Sequence, residues 1–158
     1  MERTLTIGKT DLARQTRRML DHARRGETLI VESYGEEQVA VVDVQNYRIL
    51  RALAAYHALP PHPAPVHDPS LEPAGLTEEE VEAAVREAGD SPQARWNRVL
   101  QAYLDEHINL GRAAVLLGLP VFELEDRFRR LDVPRRYGPE TPEEAMEDAE
   151  TARTWTTR

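Results

Sequence analysis

The sequence predicts an α+β protein: an N-terminal domain of three short strands with helices, a proline-rich linker, and an all-α C-terminal domain with a helix-turn-helix outline. Short β-branched apolar runs fall before residue 45, six of the eleven prolines crowd into 57–75, and the apolar positions after residue 76 recur at helical spacing. With 158 residues, 41% of them apolar and 30% charged, the chain suits two small folded units better than one large enzyme core.

The first domain, 1–56, opens with an extended segment from Arg3 to Ile7. A helix is expected from about Thr10 to Arg25, stopped by Gly26, with Leu12, Thr16, Met19, Leu20 and Ala23 forming its buried stripe. Arg14, Arg18 and Arg25 then share a face, Arg17 and Arg24 lie beside it, and most of this charge meets solvent. The runs Thr28–Val31 and Val39–Val44 read as a hairpin turning at Tyr34-Gly35. A second helix starts near Gln45, its apolar positions being Tyr47, Leu50, Leu53 and Ala54. So small a domain buries little surface alone, and pairing of two copies is the simplest remedy.

Residues 57–75, with Pro60, Pro61, Pro63, Pro65, Pro69 and Pro73, read as a semi-stiff linker. The second domain, 76–136, begins where Thr77 and Glu80 make a capping-box pair for a helix reaching Gly89. Ser91-Pro92 starts the next helix, on which Trp96, Val99, Leu100, Tyr103, Leu104 and His107 recur as the centre of a second core. Leu110–Leu117 follows, with Ala113, Ala114 and Leu117 inward. Gly118 breaks it, and Pro120 starts a helix to Leu131 with Leu124, Phe128 and Leu131 inward. The tail, 137–158, carries a third capping signature at Thr141, Pro142 and Glu144. It opens a weakly amphipathic acidic helix with Ala145, Met146, Ala149 and Ala152, too apolar-poor to hold itself together unaided.

The net charge of −8 is not uniform. Between Arg3 and Gly26 stand Arg3, Lys9, Arg14, Arg17, Arg18, Arg24 and Arg25 against Asp11 and Asp21, whereas Glu140, Glu143, Glu144, Glu147, Asp148 and Glu150 face no base between 139 and 150. A basic head and an acidic tail suit two different partners. The arginine-bearing helix can bind phosphates by releasing counterions, helped by the hydroxyls of Thr4, Thr6 and Thr10, or it can be a plain solvated face.

The order and spacing of Leu5-Thr6-Ile7, Asp11-Leu12-Ala13-Arg14-Gln15, Met19-Leu20, Gly26-Glu27, Leu29-Ile30-Val31, Tyr34-Gly35, Val39-Ala40-Val41-Val42 and Tyr47 resemble the antitoxin family named for prevent-host-death and YefM. That resemblance covers about a third of the chain and implies a homodimer whose paired helices face operator DNA. Members often carry a base just before the hairpin glycine; here Glu32, Ser33 and Tyr34 precede Gly35 and acids follow it, which argues against DNA contact there. The segment Leu110–Pro134 resembles a small family of uncharacterised helix-turn-helix proteins encoded beside toxins of the PIN ribonuclease class.

Together these readings give an antitoxin that neutralises a toxin stoichiometrically, a PIN-type nuclease by resemblance, and represses its own operon. The DNA-binding candidates are Arg3, Lys9, Arg14, Arg17, Arg18, Arg127 and Arg130; the toxin-binding candidates are Met146, Glu147, Ala149, Arg153 and Arg158. The alternatives are a stand-alone helix-turn-helix regulator without a toxin, and an adaptor joining two proteins. Glu123, Glu125 and Asp126 alternate with Arg127, Arg129 and Arg130 on the would-be recognition helix, which suits protein docking at least as well as base reading.

No enzymatic activity or cofactor is expected. The chain has no cysteine for a disulfide, thiolate site or thiol nucleophile, and no phosphate loop, serine elbow or dinucleotide fingerprint. The five-residue spacing of His57, His62 and His67 fits no metal-ligand pattern on a helix or strand. With no apolar run approaching the roughly 20 residues of a membrane span and no signal segment, a cytoplasmic protein is expected.

Overall fold

The computed structural model describes residues 4–60 and 75–136. Arg3, most of the proline-rich linker, and the tail with Met146, Glu147, Ala149, Arg153 and Arg158 lie outside the described residues. The architecture is α+β: a three-stranded sheet near the N-terminus, followed by an all-helical part.

Strand β1 (Thr4–Gly8) runs into two helices, α1 (Lys9–Arg14) and α2 (Thr16–Arg24), which return the chain to β2 (Thr28–Ser33) parallel to β1. The hairpin to β3 (Glu36–Val41) completes the order β1-β2-β3. Leu29 sits opposite both Leu5 and Val41, so these alternate positions form one sheet face. Met19 and Ala23 of α2 close over it, with Ile7 and Leu12 at the margin. Cover stops there: every residue of β3 except Val41 is exposed.

Where the sequence suggests one helix from Thr10 to Arg25, the chain breaks at Gln15 (φ −122°, ψ 28°). The Thr16 hydroxyl donates to the Leu12 carbonyl at 2.8 Å and the Ala13 carbonyl at 3.3 Å, taking up helix acceptors at the break. Of the five positions expected to be inward, Met19 and Ala23 are buried and Leu12 is half-buried, while Thr16 and Leu20 face outward.

Helix α3 (Val44–His57) departs furthest from expectation. Its buried residues are Asn46, Ile49 and Ala52, whereas Tyr47, Leu50 and Ala54 are exposed and Leu53 is half-buried. Ile49 and Ala52 belong to the large helical core together with Val99, Leu100 and Tyr103. A helix assigned by sequence to the first domain is thus built into the second core, and the two cores divide the chain just before α3.

That second core is assembled from α3, α4 (Glu78–Glu87), α5 (Pro92–Leu104), α6 (Leu110–Leu117) and α7 (Val121–Arg130). The Thr77–Glu80 capping box forms reciprocally, and the Thr77 N–H holds the Glu80 carboxyl below its usual range. Trp96, Val99, Leu100 and Tyr103 are buried on α5 as the periodicity predicts, although the helix ends at Leu104, before His107. The Tyr103 hydroxyl, pushed up by burial, donates to the Pro134 carbonyl at 2.7 Å and accepts from the Arg136 N–H at 2.8 Å.

One ion-pair cluster joins α3 to α7. Asp43 caps α3, its Oδ1 accepting from the N–H groups of Gln45 (2.9 Å) and Asn46 (3.1 Å). The same oxygen accepts from Arg127 Nη1 at 2.5 Å, and that nitrogen also donates to Asn46 Oδ1 at 2.7 Å. Glu123 Oε1 accepts from Arg127 Nη2 at 2.9 Å. With only 7% of its side chain exposed, Arg127 is a buried cation held by two carboxylates and an amide.

Two substitutions test these interactions. Arg127→Ala leaves Asp43 without its cation and is expected to cost about 3–5 kcal/mol, the usual penalty for breaking a buried pair; urea denaturation of the full chain measures it. At the hairpin, Tyr34 (φ 56°) and Gly35 (φ 78°) form the two-residue turn, a pattern that favours Asn-Gly. Tyr34→Asn is therefore expected to stabilise the chain by about 0.5–1 kcal/mol, read as a higher thermal midpoint, because a bulky residue is strained in the left-handed region.

Candidate nucleic-acid interface

The break at Gln15 turns what would be a straight rod into an elbow, and the elbow creates a site. Along it lies an open concavity of about 630 Å³ whose charged lining is Arg14, Arg17, Arg18, Asp21, His22 and Arg25, with Gln15 and Thr16 also lining it. Arg14, Arg17, Arg18 and Arg25 are all exposed. Asp21 reaches toward Arg24, at 3.7 Å, and His22 Nδ1 sits 2.6 Å from Glu27 Oε2. Arg18 Nη1 donates to the Gln15 amide oxygen at 3.3 Å. Among the described residues no carboxylate pairs with Arg14, Arg17 or Arg18. Lys9 stands exposed at the start of α1, as do Thr10 next to it and Thr4 and Thr6 along β1.

Unpaired guanidinium groups around a shallow depression have a definite chemistry. Each is permanently charged and presents a planar fork matched to phosphate oxygens, and the depression gathers them toward one ligand. The open shape accepts a polymer backbone running across it and offers little enclosure to a small substrate.

Of the seven DNA-binding candidates, the structure brings Arg14, Arg17 and Arg18 together, while Lys9 is exposed at the other end of α1 and does not line the concavity. It places Arg127 and Arg130 elsewhere. Arg127 is inside the α3–α7 cluster. The Arg130 side chain, 17% exposed, donates from Nη1 to the Arg25 carbonyl at 2.9 Å and pairs through Nη2 with Asp126 at 3.0 Å. These two arginines fasten the structure internally and leave the set that can meet DNA. Position 26 has to be glycine for the same contact: its φ is +87°, and a Cβ there would lie 1.7 Å from Arg130 Nη1.

The helix-turn-helix outline is present in the backbone. Asn109 caps α6 by accepting from the Arg112 N–H at 2.9 Å, Gly118 ends it in the left-handed region (φ 67°, ψ 32°), and Pro120 leads into α7. What α7 turns outward in its first turn is apolar, with Val121 45% and Phe122 75% exposed. Arg129, the remaining arginine of that helix, is paired with Asp126. A base-reading helix presents donors and acceptors at such positions; this one presents a valine and a phenylalanine.

Sequence reasoning missed two features of the site. The elbow was signalled by Thr16, which can back-bond to a helix carbonyl, next to the long polar Gln15. The inward turn of Arg127 was signalled by Asp43, a helix cap whose carboxylate needs a cation once covered. Among the described residues no group of three or more histidine, aspartate or glutamate side chains could hold a metal ion, and no helix is long and apolar enough to cross a membrane. No protein-family model matches this chain, and no curated protein or solved structure matches it either.

Proposed function

We propose that this chain is the antitoxin of a toxin–antitoxin pair, binding operator DNA through the α1–α2 elbow and a toxin protein through its acidic tail. The observation that carries the DNA half is the concavity lined by Arg14, Arg17, Arg18 and Arg25, none of which has a carboxylate partner among the described residues. Lys9 extends the basic surface. Release of phosphate counterions by such a cluster gives sequence-independent affinity that falls steeply with salt.

The DNA-binding unit in this reading is a homodimer. Val39 on β3, Leu20 on α2 and the α3 positions Val44, Tyr47 and Leu50 are 43–59% exposed, more apolar surface than so small a sheet can leave bare without cost. A second copy covers it most economically.

The toxin half rests on sequence. The segment with Met146, Glu147 and Ala149 is acidic where a ribonuclease surface is basic, and Arg153 or Arg158 supplies a cation for an acidic active site. By resemblance the toxin is a PIN-type ribonuclease, and the site of action is the cytoplasm. Neutralisation is stoichiometric, and toxin-bound dimers repress the shared operon more tightly through avidity. The chain needs no catalytic group or cofactor to do this.

Replacing Arg14, Arg17 and Arg18 together by alanine is expected to weaken binding to the DNA upstream of the gene in a titration by electrophoretic shift. The log–log dependence on salt is expected to flatten by about 0.9 for each phosphate left without its arginine. An unchanged slope refutes the elbow as the DNA site. Ending the chain after Tyr137 is expected to abolish co-purification of the neighbouring gene's product while sparing the DNA shift; survival of that capture removes the tail from the toxin interface.

A further inference from the structure

The β2–β3 hairpin carries the opposite charge to the elbow. From Glu27 to Tyr47 the chain contains no lysine or arginine, against Glu27, Glu32, Glu36, Glu37 and Asp43. Two of these acids are already engaged, Glu27 with His22 and Asp43 with the distant Arg127. Among the described residues no base pairs with Glu32, Glu36 or Glu37, and all three cluster at the tip. A two-residue turn puts Ser33 directly opposite Glu36, and a register shift between Val31 and Glu32 twists this end relative to the rest of the ladder.

At the apex stands Tyr34, fully exposed at 103% of its reference area and held at φ 56°. A tyrosine is the costly residue for such a place, since it gives up the turn preference of asparagine and leaves an aromatic ring wholly in water. In a contact it is worth more. An aromatic ring between carboxylates is a ligand for arginine, which stacks on the ring face while its fork meets the acids.

A surface of that kind is present on this same chain. The elbow concavity is an open depression of about 630 Å³, room for one tyrosyl ring, and it offers exposed Arg14, Arg17 and Arg18, which have no carboxylate partner among the described residues. We propose that the acidic, tyrosine-tipped hairpin of one copy seats in the arginine-lined elbow of another, with Tyr34 stacked on guanidinium and Glu36 and Glu37 paired to Arg17 and Arg18. Like charge prevents the hairpin from reaching DNA, and opposite charge draws it to the surface that DNA would occupy. Hairpin and phosphate backbone therefore compete for one set of arginines. This competition, unlike the self-docking, rests on the DNA reading of the elbow. Without DNA the chains associate through these contacts, and a duplex displaces them.

Sedimentation velocity of the full chain at 50 mM and 500 mM NaCl tests this. The wild type is expected to form a larger species at low salt that disappears at high salt, because exposed ion pairs are screened as the Debye length shortens. An apolar homodimer survives at both. Glu36→Arg with Glu37→Arg is expected to abolish the low-salt species, as is Arg17→Glu with Arg18→Glu, and mixing the two variants is expected to restore it. Tyr34→Asn, which suits the turn and so keeps the fold, is expected to weaken the association about tenfold. Identical profiles for wild type and the hairpin charge reversal at 50 mM NaCl overturn the proposal, as does failure of the mixed variants to associate. A short duplex carrying the upstream sequence is expected to replace the larger species. If it binds and leaves self-association intact, the competition is wrong; if it does not bind while the salt-sensitive species persists, the docking stands and the DNA reading falls.

Discussion

The fold depends on a single buried cation. Arg127 lies on the last described helix and Asp43 on the turn before α3, 84 residues apart, yet the Asp43 oxygen that caps α3 is the one that accepts from Arg127. Taking a guanidinium out of water is expensive unless its charge is met, and here two carboxylates and an amide engage both Nη atoms, while Nε is buried without a partner among the described residues. The consequence is architectural. With Asn46 turned inward to complete the cluster, α3 must present Ile49 and Ala52 to α5, and the helix that follows the sheet becomes part of the helical core. Sheet and helices are then joined through a polar hinge rather than by a tether alone.

The same rotation explains the surfaces that remain. Turning Asn46 and Ile49 inward turns Val44, Tyr47 and Leu50 outward, next to a sheet whose third strand is nearly bare. Charge is segregated as sharply as apolar area: the elbow collects four arginines against one carboxylate, Asp21, and the hairpin collects carboxylates without arginines. A molecule arranged in this way has little reason to remain alone, because each of its uncovered surfaces matches something outside the chain or another part of a second copy.

Much of the architecture was legible in the residues themselves. Gly118 marked the end of Leu110–Leu117, Thr77 and Glu80 announced their helix, and Tyr34-Gly35 marked the hairpin, because each of these signals is local and acts through backbone geometry. What failed to show was set at long range. Periodicity ranks positions by apolarity, so it chose Tyr47 and Leu50 for the inner face of α3 and overlooked Asn46, whose burial is worthwhile only because Arg127 arrives from a distant helix. Arg127 and Arg130 read as free charges for a related reason: a base followed by further bases signals a solvated face, and nothing nearby in sequence discloses that Asp43 and the Arg25 carbonyl have claimed them. Within the candidate site, residue identity was legible for Arg14, Arg17 and Arg18, while the concave shape was not, since it comes from a helix break that propensities scarcely mark.

The close approach of Arg130 to Gly26 carries a mechanical consequence. The guanidinium occupies the space a side chain at position 26 would need, and it grips the carbonyl just before that glycine. A larger residue at 26 would push the Arg130 guanidinium aside and be strained at φ +87°, and shortening 130 frees the end of the arginine-bearing helix from its anchor. Either change therefore loosens the same joint, where the end of α2 is held by the last described helix through a side chain reaching a backbone carbonyl.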